Sequence, residues 1–263
     1  MKILLPVKPL DSNHVHRAAD AEVATHGDPD RVWTADVPSA SAPIDDSSGP
    51  DVAQKPKLRG LFHLAATPFA IAGAVVLIAT AESGRARFAL AVYGCALAAL
   101  LGVSAVYHSV HWSPGPRKWI RRLDHSMIFV LTAATYTPFA LLVIESTLGY
   151  VILAVVWVGA LGGVLLNLFW PDQPKWLASL AASALGPPLF VALVPIADVT
   201  GLGAPILLAA GGVLYLIGAV VYGTQRPDPW PAVFGYHEVM HLLVVAAAAL
   251  QFAAVAIYAA PGG

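Results

Sequence analysis

The sequence predicts an all-α fold: a bundle of seven transmembrane helices, N-terminus cytoplasmic and C-terminus extracytoplasmic. Three observations lead there. Of 263 residues, 57% are hydrophobic and only 12% charged, about half the charged share of a soluble domain. From residue 61 onward the chain reads as seven apolar runs, each close to the ~20 residues that a spanning helix needs. Lys and Arg collect in alternate connections, as the positive-inside rule requires of a multi-pass protein in the cell membrane.

Residues 1–56 stand apart. After "MKILLPV" they are rich in Asp, Ser, Pro and Ala and cannot bury enough apolar surface to offset ordering entropy. They are expected to be a disordered cytoplasmic tail, and its His14, His16 and His26 to be solvated. The opening apolar run is shorter than a signal-peptide core. Residues 57–263 are then the membrane domain.

The spans follow in order. Leu61–Thr80 begins "LFHLAATPFAIAG", and Phe88–His108 reads "FALAVYGCALAALLGVSAVYH". The others are Leu123–Ile144, Leu148–Phe169, Trp176–Ile196, Ala204–Tyr222 and Tyr236–Tyr258. Lys55, Lys57, Arg59, Arg117, Lys118, Arg121, Arg122, Lys175 and Arg226 all fall on one side of this topology. Arg85 and Arg87 fall on the other. The single cysteine, Cys95, lies in an apolar run, which excludes an internal disulfide and a cysteine-rich zinc site. A net charge of -1 offers nucleic acid no general attraction. Membrane lipids are the expected partners, and the sequence leaves the oligomeric state open.

Ionisable groups in or at the ends of spans are costly and mark function. His63 starts span one, His108 ends span two, Asp124 and His125 start span three, and His237, Glu238 and His241 start span seven. Every histidine outside the tail thus falls at one depth, the cytoplasmic half. His237 and His241 share a helical face, as do Ser104 and His108. His108, His237 and His241 form a candidate three-imidazole set for Zn2+, leaving a fourth position for water. Asp124 is the candidate acceptor of that water's proton, and Ser104 a further hydrogen-bond partner. His63, His111 and His125 read more simply as caps or packing contacts, and Asn167 as an interhelical hydrogen bond.

"HEVMH" at 237–241 also matches the HExxH pattern of zinc proteases, in which Glu238 would be the base. That pattern needs a third ligand, usually downstream. Beyond His241 the chain holds no His, Asp, Glu or Cys, so the protease reading is disfavoured. Glu238 remains open as base, as partner of a ligand, or as a headgroup-level residue.

"KPKLRGLFHLAATP", "SAVYHSVHWSPGPRKWIRRLDHSMIFVLTAATYTPFALL" and "FGYHEVMHLLVV" resemble the three signature regions of bacterial hemolysin III proteins. These group with the progestin and adipoQ receptors and, more remotely, with alkaline ceramidases. The resemblance covers about residues 56–260. It implies seven spans with the N-terminus inside and a zinc ion near the cytoplasmic face. The Ser-x3-His element falls on Ser104 and His108, the Asp on Asp124, and His-x3-His on His237 and His241. An acidic-Asn element that many relatives carry before span one is replaced by "KPKLRG". Ceramidase-like activity is attributed to the adiponectin receptors, so the resemblance implies zinc-dependent hydrolysis of a lipid amide or ester. The alternatives are a non-enzymatic receptor or membrane-state sensor with structural zinc, and a membrane-perturbing, hemolysin-like protein.

Overall fold

The computed structural model describes residues 56–262. The tail expected at 1–56, with its three histidines, lies outside the described residues apart from Pro56. Eight α-helices are described: α1 (Leu61–Ala79), α2 (Gly84–Ser109), α3 (Pro114–Phe139), α4 (Thr147–Phe169), α5 (Lys175–Ser183), α6 (Pro188–Thr200), α7 (Gly203–Thr224) and α8 (Tyr236–Ala254). A π-helical turn extends α3 through Ala140–Ile144, and another extends α8 through Val255–Ala259. Together they make seven segments long and apolar enough to cross a membrane. The expected all-α class with seven candidate spans is therefore observed.

Two elements differ from the sequence reading. The third helix starts at Pro114, not Leu123. "PGPRKWIRR" is too polar to register as a span, yet proline at the first helical position is pre-set for a helix. The fifth span is two helices, broken at residues 184–187. Pro187 and Pro188 carry no backbone N–H, so the ladder cannot run through them. The break leaves carbonyls without partners, and Tyr136 of α3 supplies one: its hydroxyl donates to the Leu185 carbonyl at 2.9 Å. Non-helical backbone at membrane depth needs such a protein partner.

Because the spans alternate in direction, one end of the bundle (the near end) collects the starts of α1, α3, α5 and α8 and the ends of α2, α4 and α7. α2 and α3 are the most enclosed spans. The outer faces carry large apolar side chains such as Phe69, Val158 and Phe190, each at least 70% exposed, as hydrocarbon contact requires. Exposed Trp119, Trp170, Trp176 and Trp230 all lie at the near end, where an aromatic belt meets the headgroups. At the other end, Arg85 pairs with Glu145 at 3.1 Å and ties two connections together. Asn167 does not bridge helices as expected. Its Oδ1 accepts from Gln173 Nε2 at 2.6 Å, closing the turn that follows α4.

Small residues set the approach of α1 to α2. A Cβ on Gly94 would lie 2.7 Å from Ala74 Cβ and 3.0 Å from its Cα. In a bilayer, where no hydrophobic force joins helices, such close contact supplies association energy. Gly94→Val is expected to cost ~1–3 kcal/mol, seen as a lower thermal midpoint in detergent. Gly162→Val, with nothing within 4 Å of its Cβ position, is expected to leave the midpoint unchanged.

Candidate metal centre

Three spans bring four histidines to one spot at the near end. His63 sits in the first turn of α1, His108 in the last turn of α2, and His237 and His241 in the first two turns of α8. One potential ligand atom from each of His108, His237 and His241 lies within 4.8 Å of the others. His108 Nε2 and His237 Nε2 are 3.3 Å apart. His63 stacks on His241, with ring centroids 4.0 Å apart and planes within 9°. His63, His237 and His241 are all buried.

Local chemistry holds these rings in place. The first N–H groups of a helix lack intrahelical partners. At α8 the Tyr236 N–H donates to Asp228 Oδ1 at 2.8 Å, and the Gly235 N–H donates to Glu238 Oε2 at 2.9 Å. Both bonds fix the start of the helix and so the angle at which His237 and His241 enter. Gly60 precedes α1 with φ +78°, and a Cβ there would come within 2.6 Å of His108 Cβ. Glycine alone meets both demands: it takes positive φ without strain, and it lets the chain cross directly over His108. The backbone before it is tied to the last loop, Lys57 N–H to the Ala232 carbonyl and Leu58 N–H to the Val233 carbonyl, each at 3.2 Å.

The donor set fits a divalent metal. Two ligands held ~2.0–2.1 Å from one tetrahedral ion stand ~3.3 Å apart, the separation found between the Nε2 atoms of His108 and His237. His241 Nδ1 is buried with no hydrogen-bond partner among the described residues. Nitrogen-only ligands in a three-residue set suit zinc with one position left open.

The other candidates divide. Asp124 is brought in: its Oδ2 lies 4.0 Å from His108 Nε2. Ser104 is buried one turn before His108 and within hydrogen-bonding reach of Asp124. His125 faces Tyr222, edge to face, with centroids 6.3 Å apart, and His111 is exposed beyond the end of α2; neither belongs to the three-nitrogen group. Glu238 is fully buried and already occupied. One oxygen accepts from the Arg59 guanidinium and the other from the Gly235 N–H. The HExxH pattern therefore does not supply a free base here. The sequence reading counted Arg59 only as an orienting cation. Its pairing was foreshadowed by Glu238 itself, a carboxylate inside a span that needs a partner.

A cavity of about 490 Å³ opens from this centre into the bundle. Its wall includes Asp124, His237 and His241 at the near end and Ile144, Ile152 and Ile196 toward the far end. Along α3 alone the lining runs from Asp124 to Ile144, roughly 30 Å at 1.5 Å per residue. The walls between are mainly apolar side chains of α3, α5, α6, α7 and α8.

Seven spans, a polar end built from imidazoles and an internal apolar cavity define a multi-pass membrane protein with a site capable of holding a metal. The chain belongs to the haemolysin III family: the model of haemolysin-III related proteins matches residues 52–252. Hemolysin-3 of Bacillus cereus is 33% identical over 190 residues, covering 71% of this chain and 83% of the relative. The Hemolysin-3 homolog of Bacillus subtilis is 31% identical over 168 residues, covering 64% and 75%. The human monocyte to macrophage differentiation factor is 25% identical over 190 residues, covering 71% and 76%. The kinship read from the three motifs is borne out, and membership places the protein in the cell membrane.

Glu238→Ala is expected to destabilise the bundle by ~3 kcal/mol. It strands the Arg59 charge and removes the acceptor at the start of α8. An Arg59→Met, Glu238→Met double variant is expected to recover most of that loss, measured by equilibrium unfolding in mixed micelles. Equal losses in the single and double variants would show that the pair does not hold the segment.

Proposed function

We propose that this protein is a zinc-dependent hydrolase that cleaves an amide or ester bond of a membrane lipid. The observation that carries the reading is the juxtaposition of three imidazole nitrogens and a carboxylate with the end of a long apolar cavity. His108, His237 and His241 would hold the ion. Zinc supplies Lewis acidity, polarising a carbonyl and making water acidic near pH ~7. Asp124 is placed to take the proton that water loses and to return it to the leaving amine or alkoxide. Ser104 orients the Asp124 carboxylate or hydrogen-bonds the developing oxyanion. The cavity holds an acyl chain, each buried CH2 contributing ~0.8 kcal/mol, and its volume lies within the ~300–1,000 Å³ usual for small-molecule sites. We further infer that the near end is cytoplasmic, because eight of the ten cations after residue 56 lie at that end, all but Arg85 and Arg87.

A second reading has its own support. His108 lies on α2 while His237 and His241 lie on α8, so an ion there would brace two spans whether or not turnover occurs. That arrangement suits a receptor or membrane-state sensor with structural zinc. The names of the Bacillus relatives add a third, membrane-perturbing reading, which has less support: the metal-capable centre and the cavity have no part in it.

Release of fatty acid from ceramide and from ester lipids by the purified, zinc-loaded protein separates these readings. Wild type is expected to turn over. Asp124→Asn is expected to keep its zinc and lose ~100- to 10,000-fold in rate, and His237→Ala to lose zinc and activity together. A zinc-loaded wild type that cleaves none of these lipids, with histidine variants that merely unfold, would favour the structural role.

A further inference from the structure

The cavity is apolar along most of its length but not at its middle. Gln251 of α8 lines it, ten residues beyond His241 and therefore ~15 Å further into the bilayer. Thr135 of α3 lines it too, eleven residues beyond Asp124, ~16 Å on the same measure. Both sit about halfway through a hydrocarbon core of ~30 Å. Gln251 is only 8% exposed.

Thr132 and Ser183 in this wall are satisfied within their own helices, while Ser179 Oγ and the Tyr215 hydroxyl are buried without a hydrogen-bond partner among the described residues. Thr132 donates to the Ile128 carbonyl at 2.7 Å, and Ser183 to the Ser179 carbonyl at 2.8 Å. Gln251 is different. Among the described residues its side chain has one hydrogen-bond partner, the Thr135 hydroxyl, 3.3 Å from Oε1. That hydroxyl also lies 2.9 Å from the Leu131 carbonyl and has a single proton to give. A carboxamide has two donors and an acceptor with two lone pairs, so most of its capacity lacks a protein partner among the described residues. Its stem rests on α7, where a Cβ on Gly211 would meet Gln251 Cγ at 2.9 Å. A glycine there lets the side chain lie flat against the neighbouring helix with its amide at the cavity wall. Interhelical bonding to Thr135 would explain one hydrogen bond; it leaves the rest of the amide facing apolar space, which is costly in a membrane.

We infer that Gln251 and Thr135 form a second polar subsite, which accepts a hydrogen-bonding group, a hydroxyl above all, carried in the middle of a lipid chain. The inference rests on the reading of the cavity as an acyl-chain site with its polar head at the histidines. The separation of ~15 Å equals about a dozen extended C–C bonds at ~1.25 Å each. The favoured ligand is thus a long-chain lipid hydroxylated near its twelfth carbon.

The test is binding to the full-length, zinc-loaded protein in phosphatidylcholine nanodiscs. The probes are octadecanoate and two of its hydroxylated derivatives, one carrying the hydroxyl at about carbon twelve and the other at about carbon three. The mid-chain hydroxyl is expected to tighten binding about five- to tenfold over octadecanoate, ~1–1.4 kcal/mol, while the hydroxyl near the carboxylate does not. Gln251→Met, similar in length and apolar, is expected to abolish the preference and leave octadecanoate affinity within about twofold. Equal binding of all three acids by wild type overturns the subsite and leaves the acyl-chain cavity standing. So does a preference that survives Gln251→Met. Binding of none of the acids removes the acyl-chain reading and the subsite with it. The positional comparison in wild type needs no variant, so poor folding of Gln251→Met does not protect the idea.

Discussion

An imidazole sealed inside a membrane bundle must find partners for its nitrogens, and four of them share one small volume here. A neutral ring offers one donor and one acceptor, and the surrounding hydrocarbon offers neither. His108 and His237 point equivalent nitrogens at each other, while His241 keeps a sealed nitrogen with no hydrogen-bond partner among the described residues. A shared cation would take one nitrogen from each of the three rings at once, which pairwise hydrogen bonds among three rings cannot do. Much of the near end is arranged around that requirement. Asp228 and Glu238 secure the start of α8, Gly60 lets the chain cross over His108, and His63 covers one face of His241.

Two carboxylates near this centre have different fates because of their neighbours. Glu238 lies next to His237 in sequence, yet it is bound to Arg59 and to the backbone of the helix start. Asp124 comes from another span and approaches His108 from the cavity side. The first is engaged in structural bonds, and the second lines the cavity beside His108. The same division separates the centre from an HExxH protease site, in which the motif's own glutamate must face the metal-bound reactant. The cavity extends inward from this centre between mainly apolar walls, with the Gln251 amide and the Thr135 hydroxyl among the polar groups along it.

The spans were legible in the sequence because an apolar run of membrane length has few other uses. Their order then placed His63, His108, Asp124, His237 and His241 at one depth without any coordinates. What hydropathy could not reveal lay where helix and hydrocarbon do not coincide. The first turns of α3 are helical but polar, so hydropathy marks Leu123 where the helix itself starts at Pro114. The break in the fifth span is short and flanked by apolar residues, so "GPPL" read as packing. Glu238 and Asn167 were visible as polar residues in costly places, but their partners depend on three-dimensional proximity. Arg59, 179 residues from Glu238 in the chain, carries no local signal of that pairing, and the stacking of His63 on His241 is equally non-local.

A cation shared by the rings of His108, His237 and His241 is the proposal on which the chemistry of the site turns. An anomalous-scattering map recorded at the zinc edge from crystals of the zinc-loaded protein would locate it. A single strong peak enclosed by His108, His237 and His241, with Asp124 on its open side, is the predicted result. A peak elsewhere, or no peak between those three rings in zinc-loaded crystals, would contradict it.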